Sequence, residues 1–254
     1  MSKIMENRKF MHCPSFKEGM AESDQAKGVK APPFGKPVVG RLITLEGFEG
    51  TLKEGDYHKL LDTRRSIRKF TGKPMTQAEL SFMLWSVQGI QEFRGEVATL
   101  RPTPSGGARH PFETYIAVKN AEGLEPALYH YLPAENVGQK ECKIQRLGDG
   151  ISGERISEML ANQTWAAKAP IVLFYSCIPY KAEWRYVDMA HRVMLIDLGH
   201  AGQNAMLSAT ALGLGSCCMA AFDQKACDDT LGFDGVNEYT VYAIAVGTPD
   251  FKGL

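Results

Sequence analysis

The sequence predicts an α/β protein of the α+β kind, with a central mixed or antiparallel sheet flanked by helices. Three observations support this class. Several short apolar segments have the length and composition of strands, other segments repeat apolar residues at helical spacing, and 254 residues suffice for one large core. The composition of 44% apolar and 23% charged residues is that of an ordinary globular protein and argues against a disordered, collagen-like or coiled-coil chain.

The charge balance argues against two classes of partner. Lysine and arginine together number 29, as do aspartate and glutamate, so no net charge attracts nucleic acid or an anionic membrane. No apolar run is long enough for a signal peptide or a membrane-spanning helix. We therefore expect a cytoplasmic protein, in which any site for an anion is local.

Cysteine and histidine spacing gives no sign of disulfides or metal. The six cysteines show no C-x-x-C spacing, and the six histidines show no H-E-x-x-H spacing. We expect reduced thiols and no metal site. The adjacent pair Cys217 and Cys218 is open to a redox role, although packing is the favoured interpretation because free cysteine behaves mainly as a small hydrophobe.

The first helices follow a proline- and glycine-rich beginning. Residues 1–50 show little periodicity and predict an extended arm, and residues 51–254 predict a single domain. A helix begins after Asp56 and runs into a basic cluster. Thr76 and Glu79 form a capping box for a second helix, which we expect to stop at Gly89. A long polar connection, residues 91–111, comes next.

The rest of the chain predicts five strands and two helices. The strands are expected at Phe112–Val118, Ala127–Leu132, Lys143–Leu147, Ile171–Cys177 and Tyr239–Val246, and a short helix at Glu154–Ala161. Residues Val187–Leu212 predict a long helix with small residues, ended by Gly213-Leu214-Gly215. Such a helix belongs in a core or at a subunit interface.

A glycine-rich motif and a basic cluster are two candidates for nucleotide or phosphate binding. Gly148–Gly153 reads G-x-G-x-x-G, but the preceding strand alternates polar and apolar residues and the next ends without a ribose-binding carboxylate, so a surface turn is favoured. Arg64, Arg65 and Arg68 surround Ser66, a pattern that suits a phosphate. A solvated charged turn is the alternative for this cluster.

Two further segments could approach a flat ligand through their backbone. Pro104–Pro111 contains two adjacent glycines held between prolines, and lies in a connection longer than most loops. Gly213–Asp223 has small side chains that would leave backbone N–H groups accessible. A hairpin loop and a plain buried loop are the respective alternatives.

These segments, in this order, resemble those of the nitroreductase family of FMN enzymes over roughly residues 55 to 252. Thr63–Phe70 is similar to the family's opening signature, and Pro104–Pro111 to its second signature, with Ala108 and His110 where Asn and Gln are more usual. This second signature is closer to the branch that includes the dehydrogenases of thiazole and oxazole peptide synthesis, as are Gly199-His200 followed by Gln203-Asn204, and Gly213–Cys217.

The resemblance implies a flavin site. The implied FMN-binding residues are Arg64, Arg65, Ser66, Arg68, Pro104, Ser105, Gly106, Gly107, Cys218, Met219, Ala220, Ala221 and Lys252. Arg68 would lie near the flavin N1 and O2, and Lys252 near the phosphate, where the family usually adds an arginine that this chain lacks. Tyr180-Lys181 is the nearest match to the Lys-Tyr pair of the azoline-oxidising enzymes, in reversed order.

The implied activity is that of an FMN-dependent oxidoreductase. NADH or NADPH would give hydride to the flavin N5, and a small oxidised substrate of the nitro or quinone type would then receive it in a ping-pong sequence. No side chain stands out as a catalytic acid or base. A homodimer with flavin pockets between subunits is also implied. The alternatives are an azoline dehydrogenase acting on a peptide and a flavin-binding module without turnover.

Overall fold

The protein contains two packed layers of helices around one sheet. The computed structural model describes residues 4, 8, 20–140, 142–148 and 150–251. The α-helices that the structure describes from end to end are α1 (Tyr57–Thr63), α2 (Gln77–Gln88), α3 (Gly153–Met159), α4 (Tyr180–Tyr186), α5 (Ala190–Ala211) and α6 (Gln224–Leu231). The strands are β1 (Leu42–Thr44), β2 (Glu92–Arg94), β3 (Ala98–Leu100), β4 (Phe112–Val118), β5 (Ala127–Leu132), β6 (Lys143–Arg146), β7 (Ile171–Cys177), β8 (Gly215–Met219) and β9 (Tyr239–Gly247).

Seven strands form one sheet, in the order β1-β6-β5-β4-β7-β9-β8, while β2 and β3 form a separate hairpin. Every neighbouring pair in the large sheet is antiparallel. The predicted α/β class is therefore confirmed, and of the two predicted arrangements, mixed or antiparallel, the antiparallel one is correct. All residues of the central strands β4 and β7 are buried, because helices cover both faces of the sheet.

The two faces of the sheet carry separate hydrophobic clusters. On one face, Met83 and Leu84 of α2 pack with Leu198 and Ala205 of α5. On the other face, Ile156 and Met159 of α3 pack with Cys227 and Ala226 of α6. Helices α2 and α5 therefore pack against each other on the same face of the sheet.

Most of the predicted elements have the expected bounds. Strands β4, β5 and β7 match the prediction at both ends, and β6 and β9 differ by one residue. The Thr76–Glu79 capping box is present, with both of its hydrogen bonds. Helix α2 ends at Gly89 as expected, but for a packing reason: Gly89 has an ordinary φ of −59°, and a Cβ there would lie 2.3 Å from the Trp85 ring.

The long helix is shorter than predicted. It begins at Ala190 rather than Val187, because Val187 has φ 51° and ψ −129°, a conformation that separates α4 from a 3₁₀ turn at Val187–Met189. Its end is as predicted. Gly213 has φ +70°, and the N–H of Leu214 donates to the Ala209 carbonyl at 2.8 Å, as expected for a Schellman motif.

Several elements were not predicted. The connection 91–111 contains the β2–β3 hairpin, residues 42–44 form an edge strand, and α6 follows β8. The first and last glycines of the G-x-G-x-x-G segment behave differently: Gly148 is exposed in the turn that follows β6, and Gly153 begins α3. Asp149 lies outside the described residues.

The N-terminal residues that the structure describes lie against the body of the protein. The Lys36 ammonium contacts the Tyr115 hydroxyl at 2.8 Å and a Glu238 carboxylate oxygen at 2.5 Å. The Phe34 carbonyl accepts a hydrogen bond from buried Arg101. The division into an arm, residues 1–50, and one domain, residues 51–254, stays a prediction. Within the described ranges, none of the helices has the length and apolar character needed to cross a bilayer.

Candidate functional site

The basic cluster lies along the terminal strand of the sheet. Helix α1 ends at Thr63, and from Ser66 the chain runs beside β8, where the N–H of Ile67 donates to the Ser216 carbonyl at 2.9 Å. Gly215 permits this approach, because a Cβ there would lie 2.8 Å from the Ile67 side chain. The sequence motif of residues 64–68 is thereby fixed against the segment that begins at Gly215.

The arginines of this cluster have no acidic partner in the part of the chain that the structure describes. Arg64 is half-buried, and Arg65 and Arg68 are exposed. Among the described residues, none of the three forms a salt bridge with a carboxylate. The Arg68 guanidinium lies 5.8 Å from the centre of the Trp165 ring. Three cations gathered without a counterion suit an anionic ligand such as a phosphate.

Strand β8 presents a backbone edge beside these cations. Because the Ser216 carbonyl faces the basic segment, the backbone groups of Cys218, two residues along the strand, point to the same side. Beyond the strand, Ala220 and Ala221 are exposed, whereas Met219 is buried. The small side chains therefore leave backbone N–H groups near Arg64 and Arg68, as a flavin edge would require.

The adjacent cysteines are packing residues. Burial raises the pKa of Cys218 to about 11, with a hydrogen bond from Tyr242 and the charge of Arg64 opposing the shift. Burial also raises the pKa of Cys217, against the charge of Arg68. The Cys218 thiol lies 3.8 Å from the Gly202 carbonyl. Both thiols therefore stay protonated at neutral pH, which supports the packing interpretation over a redox role.

The second glycine motif is anchored by a residue that sequence reasoning missed. Asp197 of α5 is 5% exposed. It accepts a hydrogen bond from the Ser105 hydroxyl at 2.6 Å and another from the Gly106 N–H at 3.1 Å. Burial raises the pKa of Asp197, and these two hydrogen bonds oppose the rise. Asp197 belongs to no sequence motif, and a single acidic residue in a helix is normally solvated. The one indication in the sequence that it is buried is its position among apolar residues.

The two glycines of this motif are close-packed rather than open. A Cβ on Gly106 would lie 2.4 Å from Val193, and one on Gly107 would lie 2.7 Å from both Arg185 and the Tyr186 hydroxyl. Gly107 also has φ +59°, which favours glycine. Close packing against α4 and α5 therefore accounts for the presence of both glycines. Pro104 and Gly107 are exposed and form the part of the motif that a ligand could reach.

Within one chain, the first and third motifs meet and the second does not join them. Residues 64–68 and 216–221 lie together at β8, whose Cys218 contacts Gly202. Ser105 and Gly106 contact Asp197. At 3.6 residues per turn, Asp197 and Gly202 point about 140° apart on α5, so the motifs lie on opposite flanks of this helix. Lys252 lies outside the described residues.

Tyr180 and Lys181 each have an acidic partner, and that of Lys181, Glu113, lies two residues past the second motif. Lys181 is 4% exposed, and its ammonium forms an ion pair with Glu113 at 2.5 Å. The Tyr180 hydroxyl donates a hydrogen bond to a carboxylate oxygen of Asp24. The match of this pair to a proton-transferring pair stays a prediction, and the ion pair with Glu113 does not favour it. Arg185 and Tyr186, five residues further on, are the residues of α4 that contact Gly107.

A buried polar network supports the strand that follows the second motif. Burial alone would raise the pKa of Glu113, but Lys181 and a hydrogen bond with His130 hold it well below its usual range. Burial lowers the pKa of His110 to about 2, and the nearby Arg101 adds to the effect. His110 is therefore neutral, with its Nε2–H donating to the Thr99 carbonyl at 2.9 Å.

The chain belongs to the nitroreductase family: residues 61–248 match the model described as "Nitroreductase family". It is 31% identical over 196 residues to a Methanocaldococcus jannaschii protein named provisionally as a nitroreductase, covering 77% of this chain and 92% of that one. It is also 31% identical over 140 residues to the microcin B17-processing protein McbC of Escherichia coli, covering 53% of this chain and 49% of McbC.

Solved structures show the same fold. A protein from Anabaena variabilis described provisionally as a nitroreductase has a TM-score of 0.66 at 24% identity, over 83% of this chain and 42% of that one. A chain of the E. coli microcin synthetase McbBCD complex with truncated pro-MccB17 bound has a TM-score of 0.61 at 21% identity, over 85% and 79%. This chain thus spans about half or less of McbC and of the Anabaena protein. The predicted family and fold are confirmed.

Proposed function

We propose that this nitroreductase-family oxidoreductase binds FMN, takes hydride from NADH or NADPH, and reduces a small nitro- or quinone-type substrate. The observation that carries the proposal is the juxtaposition of Arg64, Arg65 and Arg68, which lack carboxylate partners among the described residues, with the open backbone edge of β8. A cationic cluster beside N–H donors fits a ligand with a phosphate and a polar ring edge.

The residues of this site divide the work of holding such a ligand. Arg64, Arg65 and Ser66 would bind the phosphate and ribityl groups, and the backbone of Cys218–Ala221 would face the ring. Arg68 would stabilise negative charge at the N1 and O2 side, which makes hydride acceptance more favourable. FMN, when bound, supplies hydride transfer at N5, a reaction that no protein side chain performs.

The remaining residues of the proposed pocket would come from a second copy of the chain. Pro104, Ser105, Gly106 and Gly107 lie on the opposite flank of α5 from β8. Between these flanks α5 exposes apolar side chains, including Leu195 at 58% and Ile196 at 52%. Packing two copies through this surface would bury it and bring the second motif of one copy towards the first and third motifs of the other.

Two further parts of the proposal concern the ends of the chain. Lys252 is assigned to the FMN phosphate, with Arg65 in place of the arginine that relatives carry in this region. Residues 1–50 are assigned to an arm and residues 51–254 to one flavin-binding domain. The contacts of Lys36 and Phe34 with the body support an arm that stabilises the domain.

A second candidate, oxidation of azoline rings in a peptide, is favoured by one observation. The relatives include two peptide-processing proteins, McbC and the trifolitoxin-processing protein TfxB of Rhizobium leguminosarum, the latter 27% identical over 149 residues, 58% of this chain and 39% of TfxB. Against this candidate, the buried ion pair of Lys181 with Glu113 leaves that lysine unavailable for proton removal.

The first experiment is the visible absorption spectrum of the purified chain, followed by denaturation and identification of any released chromophore. Recovered FMN that NAD(P)H bleaches, and that a nitroarene or quinone reoxidises, is the expected result. FMN that NAD(P)H reduces only slowly, but that an azoline-containing peptide reduces readily, would favour the second candidate. Bound FMN without turnover would indicate a flavin-binding module, and a protein that cannot be reconstituted with FMN would overturn the proposal.

A further inference from the structure

A half-open pocket beside α2 shares no residue with the three proposed flavin motifs. It has a volume of about 280 Å³, at the small end of the range for small-molecule sites. Its walls come from the loop after β1, from α2, and from the segments after β5 and before β6. Convergence of four separate segments on one concave space is typical of a ligand pocket rather than a surface irregularity.

The walls of this pocket are aromatic. Phe48 and Trp85 both line it, with ring centroids 5.2 Å apart and planes at 40°. Tyr131, 1% exposed, lines it as well. Phe82 packs against the rings of Phe48 and Trp85, with centroid distances of 5.4 Å and 6.3 Å. Ring faces carry partial negative charge, so aromatic walls of this kind attract organic cations.

The charged side chains at the pocket also favour a cation. Glu46 and Glu49 line it and are exposed, and neither forms an ion pair with any described Lys, Arg or His side chain. Of the described residues that line the pocket, one is a cation, Lys140, and it donates to the Gln91 carbonyl. Two carboxylates and one ammonium leave a negative excess beside the rings, which opposes an anionic or nucleotide ligand.

The thiol in the pocket does not alter this chemistry. Burial raises the pKa of Cys142 to about 11, although hydrogen bonds with Ser81 and Tyr131 oppose the rise. The thiol is therefore protonated at neutral pH and contributes an apolar, polarisable surface, not a nucleophile or a metal ligand.

We propose that this pocket is a binding site for a small organic ammonium ion, held by the faces of Phe48 and Trp85 and by the carboxylates of Glu46 and Glu49. The site is independent of the flavin and of the hydride donor, because none of its residues belongs to the motifs at β8 or at Asp197. Its occupant would be a primary amine carrying one ring, since the volume leaves no room for a nucleotide.

Benzylamine, with benzyl alcohol as the neutral comparison, tests the site by calorimetric titration of the purified full chain at pH 7. We expect benzylamine to bind about tenfold more tightly than benzyl alcohol. The double variant Glu46→Gln/Glu49→Gln should remove that preference. A matched control, Glu122→Gln/Glu125→Gln, changes the net charge equally at two exposed positions outside the pocket and should keep it.

Three outcomes would overturn the proposal. They are no saturable binding of benzylamine up to its solubility limit, equal affinity for the amine and the alcohol, and a preference that survives in Glu46→Gln/Glu49→Gln. Because binding is measured directly, the result does not depend on whether FMN is present or on any oxidoreductase activity. Both glutamates are exposed, so these variants are expected to fold.

Discussion

The carboxylate of Asp197 lies 2.6 Å from the hydroxyl of Ser105 and accepts the neighbouring Gly106 N–H as well. One acid on the long helix therefore fixes the start of the glycine loop. The same hydroxyl accepts the His110 N–H at 2.9 Å, so both ends of the loop depend on the Asp197–Ser105 pair.

Asp197→Ala should lower the free energy of unfolding by about 2 to 3 kcal/mol, because two half-buried donors lose a buried charged acceptor. Urea unfolding followed by circular dichroism measures this change. Asp229→Ala is the matched control: Asp229 is 54% exposed and pairs with Lys225 on the surface of α6, and its loss should cost about 0.5 kcal/mol or less. Equal effects of the two substitutions would show that Asp197 does not anchor the loop.

Arg64→Ala should weaken FMN binding by about 1.5 to 3 kcal/mol, the value of a charge-assisted contact. Quenching of flavin fluorescence on titration gives the dissociation constant. Arg94→Ala removes the same charge from the β2–β3 hairpin, where Arg94 pairs with Glu92, and should leave the constant unchanged. An unaltered dissociation constant for Arg64→Ala would falsify the assigned phosphate site.

Stability should fall as the pH drops from 6.5 to 5, and His110 should account for part of the fall. Burial lowers the pKa of His110 from 6.5 to about 2, so in this window the unfolded chain binds a proton that the folded chain does not. The contribution approaches about 1.4 kcal/mol per pH unit. His110→Gln keeps a donor for the Thr99 carbonyl and should flatten the dependence in urea titrations. Identical pH profiles of the two proteins would contradict this assignment.

Lys181→Met should cost about 3 to 5 kcal/mol of folding free energy, because Glu113 is left buried without its cation. The additional change Glu113→Gln should restore part of this loss. Lys225→Met, at an exposed pair, serves as the control. In the folded, flavin-bound fraction of Lys181→Met, the rate of NAD(P)H oxidation should equal that of the parent. A lower rate of NAD(P)H oxidation in that folded fraction would indicate that Lys181 takes part in the reaction.

Leu195→Glu/Ile196→Glu should convert the proposed dimer to monomers, since both side chains lie on the exposed face of α5. Light scattering after gel filtration measures the mass. Val236→Glu, at another apolar side chain that is 74% exposed, should leave the mass unchanged. We expect the monomeric variant to lose FMN, whereas a monomer with undiminished FMN affinity would mean that the pocket needs one chain alone.

The elements that the sequence predicted well are those whose neighbours along the chain determine them. The Thr76–Glu79 capping box and the uniformly apolar strand Ile171–Cys177 carry local signals, and both are present as expected. Strand β8 was not predicted, because Gly215–Met219 has little β-propensity and its partner strand β9 lies more than twenty residues later in the chain. The late start of α5 depends on the unusual backbone of Val187, which sequence does not specify.

The sequence predicted those parts of the candidate site whose residues are neighbours along the chain. Arg64, Arg65 and Arg68 stand together in sequence and remain together beside β8. The contact of Asp197 with Ser105 joins residues 92 positions apart, and a single sequence gives no signal for such a pair. For the same reason the sequence alone gave no sign that Lys181 forms a buried ion pair with Glu113.

The opposite-flank arrangement on α5 has a consequence for mixed populations of chains. In the proposed dimer, pairing an Arg64→Ala chain with an Asp197→Ala chain would concentrate both lesions in one pocket and leave the other pocket with neither. Two alleles that are each inactive alone should then complement one another when co-expressed, whereas two lesions within a single motif should not. Growth or flavin content of such co-expressing cells would reveal the architecture genetically.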